Sequence, residues 1–171
     1  MNRWHSCWQI VTASTIAALV GSGLWNPARG GNSSASVVSV TATASKPDAG
    51  GRQSITVTFA IKKDKNWHVY ANALPADFPG VPTSVSVDSR IKASDVEVVY
   101  PQGKLIRDKE LGDYRVYEGK AAVTLTVRRP PGDSKPLILK ASFQACYETR
   151  KDGQITAGKC LVPSTVQLKV D

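Results

Sequence analysis

The stretch Ile55-Thr56-Val57-Thr58-Phe59-Ala60-Ile61 decides the fold, because a large apolar residue occupies every second position. Successive side chains of a β-strand point to opposite faces, so this alternation predicts a strand with one buried face. The threonine spacers are β-branched and suit a pleated, half-buried surface. No segment of the chain has the sustained 3.6-residue periodicity of an amphipathic helix.

The same alternation recurs along most of the remaining chain. Segments containing Gly, Pro or Asp separate the apolar runs at 46–51, 77–82, 101–103, 118–119 and 130–133. About seven to nine short strands at this spacing predict an all-β fold, an antiparallel β-sandwich. The further runs are Val38/Val40, Val85/Val87, Val96/Val98, Val123/Leu125/Val127, Leu137/Leu139/Ala141/Phe143 and Val166/Leu168/Val170.

Composition excludes several classes of protein. The chain has 171 residues, 42% of them hydrophobic, which suits one domain with a real core. No apolar run reaches the roughly 20 residues of a membrane-spanning helix, so a polytopic membrane protein is excluded. The net charge is +8, but the basic residues are scattered. We interpret them as solvated surface and predict no nucleic-acid partner.

Residues 1–30 have the three-part layout of a secretory signal peptide. Arg3 lies before the apolar stretch Ile10–Val20, and Ala28-Arg29-Gly30 places small residues at a cleavage site. A stretch this short spans a bilayer poorly, although an uncleaved anchor over Ile10–Trp25 is the alternative. We therefore predict an exported protein with no transmembrane segment after cleavage.

Cleavage would also change the cysteine count. It removes Cys7 and leaves an even pair, Cys146 and Cys160, which an oxidising compartment would join as a disulfide. The remaining chain divides into 31–51, a flexible lead-in with a possible first strand, and 52–171, the sandwich domain. No internal linker is long enough to divide 52–171 further.

The two cysteines flank a plausible hairpin turn. If Asp152-Gly153-Gln154 forms a three-residue loop, Cys146 faces Cys160 across the hairpin, at a distance that permits a disulfide. A two-residue Asp-Gly loop would shift this register by one residue. Because Leu137 to Ala145 alternate onto the core face, Cys146 falls on the opposite face unless a bulge intervenes. A disulfide on that face would be open to a partner's thiolate.

Three simpler interpretations of these residues compete with exchange chemistry. The bond could only staple the hairpin, which the chain-entropy model values at about 3 kcal/mol. His68 together with Cys146 and Cys160 could hold copper or zinc, but without a CxxC pair we predict neither a metal nor a cofactor. The aromatic residues Trp67 and Tyr70 are interpreted as packing residues.

Several motifs resemble one family in the same order along the chain. Phe143-Gln144-Ala145-Cys146 and Cys160-Leu161-Val162-Pro163 resemble the (Y/F)-Q-(A/G)-C and C-x-P-P signature of the amino-terminal periplasmic domain of the thiol–disulfide interchange protein DsbD. The hairpin between the cysteines is longer here, and Ser164 stands in place of the second proline. The other matching pieces are Trp67–Tyr70, Pro82-Thr83, Val99–Gly103 and Val116–Gly119.

The resemblance, which is to a stand-alone version of that domain, implies an immunoglobulin-like sandwich and a function. Cys146 and Cys160 would carry catalytic thiol–disulfide exchange, with Cys160 as the attacking residue. The domain would be periplasmic and would relay electrons between a membrane thiol reductase and disulfide-bonded substrates or thioredoxin-like proteins, as in cytochrome c maturation. Lys159, Arg150 and Lys151 offer a cationic setting for a thiolate. The alternative function is a non-catalytic immunoglobulin-like binding or scaffolding domain with a structural disulfide.

The resemblance also implies a cap loop that shields the disulfide. The matching stretch contains Asp108, Glu110 and Leu111, with Tyr114 just beyond it, and Leu111 or Tyr114 would be the shield. Gly112 would give this loop a hinge.

Overall fold

A computed structural model describes residues 32–88, 92–151 and 154–171. Within them the chain forms a 3₁₀ turn, Ser34–Ser36, and strands that pair only in antiparallel ladders, which confirms the predicted all-β fold. The strands are β1 Val38–Ala44, β2 Arg52–Ile61, β3 His68–Tyr70, β4 Ser84–Val87, β5 Ser94–Val99, β6 Lys104–Ile106, β7 Tyr114–Glu118, β8 Lys120–Arg128, β9 Leu137–Phe143, β10 Ala145–Lys151, β11 Gln154–Cys160 and β12 Ser164–Val170.

The strands form sheets of four, five and three strands. Their orders are β1-β2-β8-β5, β11-β10-β3-β7-β6 and β12-β9-β4. Only Gln144 separates β9 from β10, so one continuous stretch of chain links the three-stranded sheet to the five-stranded sheet. Both cysteines lie in the five-stranded sheet, Cys146 near the start of β10 and Cys160 at the end of β11.

The main core contains the apolar residues that the alternation predicted on β2, β8 and β9. Phe59 and Phe143 meet edge to face with ring centroids 5.8 Å apart. Burying each such side chain stabilises the fold by about 1.5–3 kcal/mol. The fully buried members on these strands are Ile55, Val57, Phe59, Val123, Leu125, Val127, Leu137, Leu139, Ala141 and Phe143.

One predicted alternation does not produce a buried face. Val96 on β5 is 45% exposed, because β5 is the edge strand of the four-stranded sheet and its ladder with β8 shifts register between Ser94 and Glu97. A bulge of this kind breaks the strict in–out pattern and re-aims the side chains.

The region before β1 is attached to the sandwich. Ser33 forms an isolated bridge with Val162, and the Ser34 backbone N–H donates to the Val162 carbonyl at 2.9 Å. The hydroxyl of Ser34 accepts from the Ala145 N–H at 2.9 Å, next to Cys146. The predicted signal peptide, 1–30, lies outside the described residues. None of the described residues belongs to a helix long and apolar enough to cross a membrane.

Candidate functional site

Cys146 and Cys160 form a disulfide across the hairpin of β10 and β11. They are partners in the ladder, and their Cα atoms are 4.1 Å apart. Of the two loop lengths considered, the shorter one fits the ladder, because Lys151 pairs with Gln154 and only residues 152–153 lie between these partners. The cysteines still face each other, because a register shift between Thr149 and Arg150 restores the pairing. A bulge can thus offset a change in loop length. Counting residues along the hairpin did not take such a bulge into account.

The two cysteines differ in their exposure to solvent. Cys160 is exposed, whereas Cys146 is 0% exposed. Ala145 packs in the main core and Cys146 packs on the opposite face of the sheet, as the alternation predicted. The expectation that this face leaves the whole bond open is wrong, because a second apolar cluster covers Cys146.

This second cluster, called the outer cluster below, has four buried members. They are Tyr70 on β3, Tyr114 and Val116 on β7, and Cys146. Partly buried side chains from β6 and from two loops pack on it: Leu74, Phe78, Ile106 and Leu111. It lies outside the sandwich proper, on the face of the five-stranded sheet that points away from the main core.

Phe78 is the aromatic residue of this cover that the sequence did not single out. Its ring centroid lies 5.0 Å from that of Tyr70 and 4.7 Å from that of Tyr114. Gly80 permits the approach, because a Cβ there would lie 2.5 Å from the Tyr70 ring. The sequence did contain a signal for this role: Phe78 is a large aromatic residue inside a Pro- and Gly-rich turn, and such turns are normally polar.

The predicted cap loop lies beside this cluster. Asp108 is buried and its Oδ1 accepts from the Glu110 and Leu111 N–H groups, at 2.9 and 2.8 Å. Leu111 packs on the outer cluster, whereas Glu110 is exposed. Tyr114 is not part of the loop: it lies in β7, is 2% exposed, and belongs to the outer cluster itself.

Tyrosine, histidine and glutamate side chains surround the disulfide. The Tyr70 hydroxyl lies 3.8 Å from Cys160 Sγ. The Tyr114 hydroxyl donates to Glu148 Oε2 at 3.0 Å, and His68 Nε2 lies 3.9 Å from Glu148 Oε1. Neither Glu148 nor the placement of His68 was predicted, because the register of β3 on β10 depends on residues far apart in sequence.

The cationic setting expected from Lys159 is not formed. Lys159 precedes Cys160 on the same strand and pairs with Tyr147, so its side chain leaves from the opposite face of the sheet. Lys151 is exposed at the far end of the hairpin, and the Arg150 side chain lies outside the described parts. Neither of the two described lysines of this hairpin therefore lies beside the disulfide.

A metal at His68, Cys146 and Cys160 receives no support from this geometry. The two sulfurs are bonded to each other and offer no thiolate ligand. Across the described ranges there is no group of three or more His, Cys, Asp and Glu residues that could hold a metal ion.

Comparison with known proteins identifies the family. Residues 35–167 match the family described as thiol:disulfide interchange protein DsbD, N-terminal. The chain belongs to this family. No curated protein matches it. The DsbD N-terminal family was the one that the sequence motifs resembled, so that prediction is confirmed.

The chain is similar to two solved structures that contain DsbD N-terminal domains. The reduced Neisseria meningitidis DsbD N-terminal domain is 17% identical, with a TM-score of 0.50 over 79% of this chain and 85% of that one. The complex of the Neisseria meningitidis DsbD and PilB N-terminal domains contains a chain 14% identical, with a TM-score of 0.44 over 76% of this chain and 80% of that one. The first of these likenesses supports the immunoglobulin-like β-sandwich.

Proposed function

We propose that this chain is an exported thiol–disulfide exchange domain in which Cys146 and Cys160 are the catalytic pair. The observation that carries the proposal is that the two cysteines differ in their exposure to solvent. Exchange requires an accessible attacking thiolate and a second thiol in reach of the first. Cys160 is exposed, and Cys146 is its buried partner across the ladder.

The reaction follows from this asymmetry. In the reduced domain the Cys160 thiolate attacks a partner's disulfide and forms a mixed disulfide, which releases one partner sulfur as a thiolate. Cys146 then loses its proton and attacks the Cys160 sulfur. The internal disulfide forms, the second partner sulfur leaves as a thiolate, and two electrons have passed to the partner.

The partners follow from the chemistry and from the family. A thioredoxin-like protein or a membrane thiol reductase would supply the two electrons that restore the dithiol, and periplasmic disulfide-bonded proteins would receive them. The predicted signal peptide, 1–30, agrees with a periplasmic location. Cytochrome c maturation is one process that needs such reduced thiols.

The predicted cap loop would control which partners reach the bond. Leu111 and the Asp108-anchored turn lie over the outer cluster, so a partner that needs Cys146 must displace part of this cover. The exposed Glu110 is placed on the outside of the loop, where a partner would meet it first.

The alternative is a binding or scaffolding domain with a structural disulfide. It is favoured by the burial of Cys146 in an apolar cluster, since a bond that only staples a hairpin needs no access at all. The two functions differ in how easily the bond is reduced, because working couples have higher reduction potentials than structural disulfides.

The test is the reduction potential of the Cys146–Cys160 pair. The chain from Gly31 onward would be equilibrated in glutathione buffers, and its free thiols trapped and counted. We expect a potential of about −200 to −250 mV and a reduced form that stays folded by circular dichroism. A potential below about −300 mV, or unfolding on reduction, would support the structural disulfide instead.

A further inference from the structure

Three polar side chains form a connected group beside the disulfide. The Tyr114 hydroxyl donates to Glu148, and the Glu148 carboxylate lies 3.9 Å from His68 Nε2. All three are withdrawn from solvent: His68 is 6% exposed, Tyr114 is 2% exposed, and the Glu148 side chain is 10% exposed. We call His68, Glu148 and Tyr114 the polar triad.

The strand register places the polar triad next to Cys146. His68 is the direct ladder partner of Cys146 on β3, so their Cβ atoms are about 4.5–5.5 Å apart. Glu148 follows Cys146 by two positions on β10, which puts it on the same face. The register therefore makes His68 the neighbour of Cys146 across the ladder, and the Glu148 carboxylate lies beside the imidazole.

The second step of the proposed exchange needs a proton acceptor at this place. A cysteine in apolar surroundings holds its proton more tightly than an exposed one, and only the thiolate is the nucleophile. The expected lysine is absent, because Lys159 leaves from the other face of the sheet. An imidazole is a suitable acceptor near neutral pH, and a neighbouring carboxylate stabilises its charged form.

We propose that His68 accepts the Cys146 proton during resolution of the mixed disulfide, and that Glu148, held by Tyr114, is a positioning residue for its imidazole. This inference rests on the proposed exchange function. The Cys146 S–H bond breaks and its proton passes to the imidazole. The sulfur's electron pair forms the bond to Cys160, and the partner's sulfur leaves as a thiolate.

Two members of the polar triad lie in the wall of a cleft. A cleft of about 720 Å³ is lined by both His68 and Glu148. Other charged and titratable groups also face this region. They are Tyr70 on β3, Lys104 on β6, Glu118 on β7, Cys160 on β11, and Lys63 and Lys120 around the cleft.

Glu118 provides a matched control. It pairs with His68 on the other side of β3 and lines the same cleft, but its carboxylate is bonded to Lys104 Nζ at 2.9 Å and its side chain is 48% exposed. Glu118 lies on β7, on one side of His68, whereas Cys146 and Glu148 lie on β10, on the other side. Glu118→Gln thus removes a carboxylate near His68 without altering the polar triad.

The experiment follows the reaction of the reduced chain with dithionitrobenzoate by stopped flow. Attack by Cys160 releases one thionitrobenzoate at a rate proportional to reagent concentration. Attack by Cys146 on the mixed disulfide then releases a second thionitrobenzoate, at a rate that does not depend on the reagent concentration. We expect His68→Gln to slow the second phase on the order of 100-fold at neutral pH and to leave the first phase unchanged. Glu148→Gln, which keeps the shape of the side chain, should slow the second phase less, and Glu118→Gln should not change it.

The pH profile separates a proton acceptor from a structural residue. The second phase of the unaltered chain should become faster as pH rises and one group loses its proton, and His68→Gln should remove that inflection. Should His68→Gln fail to fold, Glu148→Gln should still move the inflection. Unchanged second phases and profiles in both variants would overturn the inference and leave the exchange function intact. If the unaltered chain itself releases no second equivalent, the exchange function fails first.

Discussion

The main core and the outer cluster are both apolar, but they are built from different parts of the chain. The main core joins residues of long, regular strands, such as Ile55, Leu125 and Phe143, each 0% exposed. The outer cluster is built on three strands and finished by loop residues, among them Phe78 and Leu111. Strand residues are held by ladder hydrogen bonds to at least one neighbouring strand, whereas loop residues are held mainly by their packing. The main core therefore carries most of the stability of the fold, whereas the outer cluster covers Cys146.

Phe143→Ala is the substitution that should test the main core most severely. It removes a fully buried ring that packs edge to face on Phe59, so the free energy of unfolding should fall by about 3–5 kcal/mol. Urea unfolding followed by circular dichroism would measure it. Leu105→Ala is the control, because Leu105 is 40% exposed and its loss should cost less than about 0.5 kcal/mol. Equal losses of unfolding free energy in Phe143→Ala and Leu105→Ala would contradict the prediction that the main core carries more of the stability than the surface.

Phe78→Ala should affect access more than stability. Phe78 is partly buried, so its removal should cost only about 1–2 kcal/mol, but it uncovers Tyr70 and Tyr114 above the disulfide. We expect dithiothreitol to reduce the Cys146–Cys160 bond several-fold faster, as measured by thiol trapping. An unchanged rate would show that this ring does not limit access.

Asp108→Ala tests the anchored turn of the cap loop. The variant removes the acceptor of the Glu110 and Leu111 N–H groups, which should destabilise the loop by about 1 kcal/mol. Amide hydrogen exchange should rise in residues 107–113 and stay unchanged in β2. Asp108→Asn, which retains an oxygen acceptor, should restore most of the protection. A uniform rise across the chain would mean that the effect is not confined to the loop.

The smallest effect is expected far from the outer cluster, at Asp133. The Lys135 N–H and, to a lesser degree, Arg129 lower the pKa of this carboxyl below its ordinary value of 3.8. A lowered pKa in the folded state adds stability that is present above 3.8 and is lost as the pH falls below it. Asp133→Asn should therefore reduce the acid dependence of unfolding only below about pH 4. Thermal melts of both proteins should show a small difference in melting temperature at pH 7 that shrinks at pH 3, and a difference of the same size at both pH values would contradict it.

The sequence was sufficient for the parts of the molecule that depend on neighbouring residues. Alternation along β2, β8 and β9 predicted which residues are buried, because strand faces repeat with a period of two whatever the partner strand is. The same rule placed Cys146 on the face opposite Ala145. It failed at Val96, where a register shift interrupts the period.

The candidate site could be predicted only in part. The pairing of Cys146 with Cys160 followed from two positions on one hairpin, which is a local relation even with the unexpected bulge. The apolar cover over Cys146 could not be predicted in this way. Phe78 lies 68 positions before Cys146 in the sequence and joins the outer cluster only through the packing of a loop. A count of residues along one hairpin contains no information about such a contact.

By itself, the sequence determined the β-sandwich through its alternation, and it placed the two cysteines on one hairpin through their spacing. It also contained the motifs that resemble the family. Only the tertiary structure decided that Cys146 is buried, that Cys160 is exposed, and that His68, with Glu148 beside it, is the ladder partner of Cys146. These features depend on the register of β3 against β10 and on loops that fold over the sheet. The physical reason is that register and loop packing are set by the sum of many distant contacts, which no single stretch of sequence encodes.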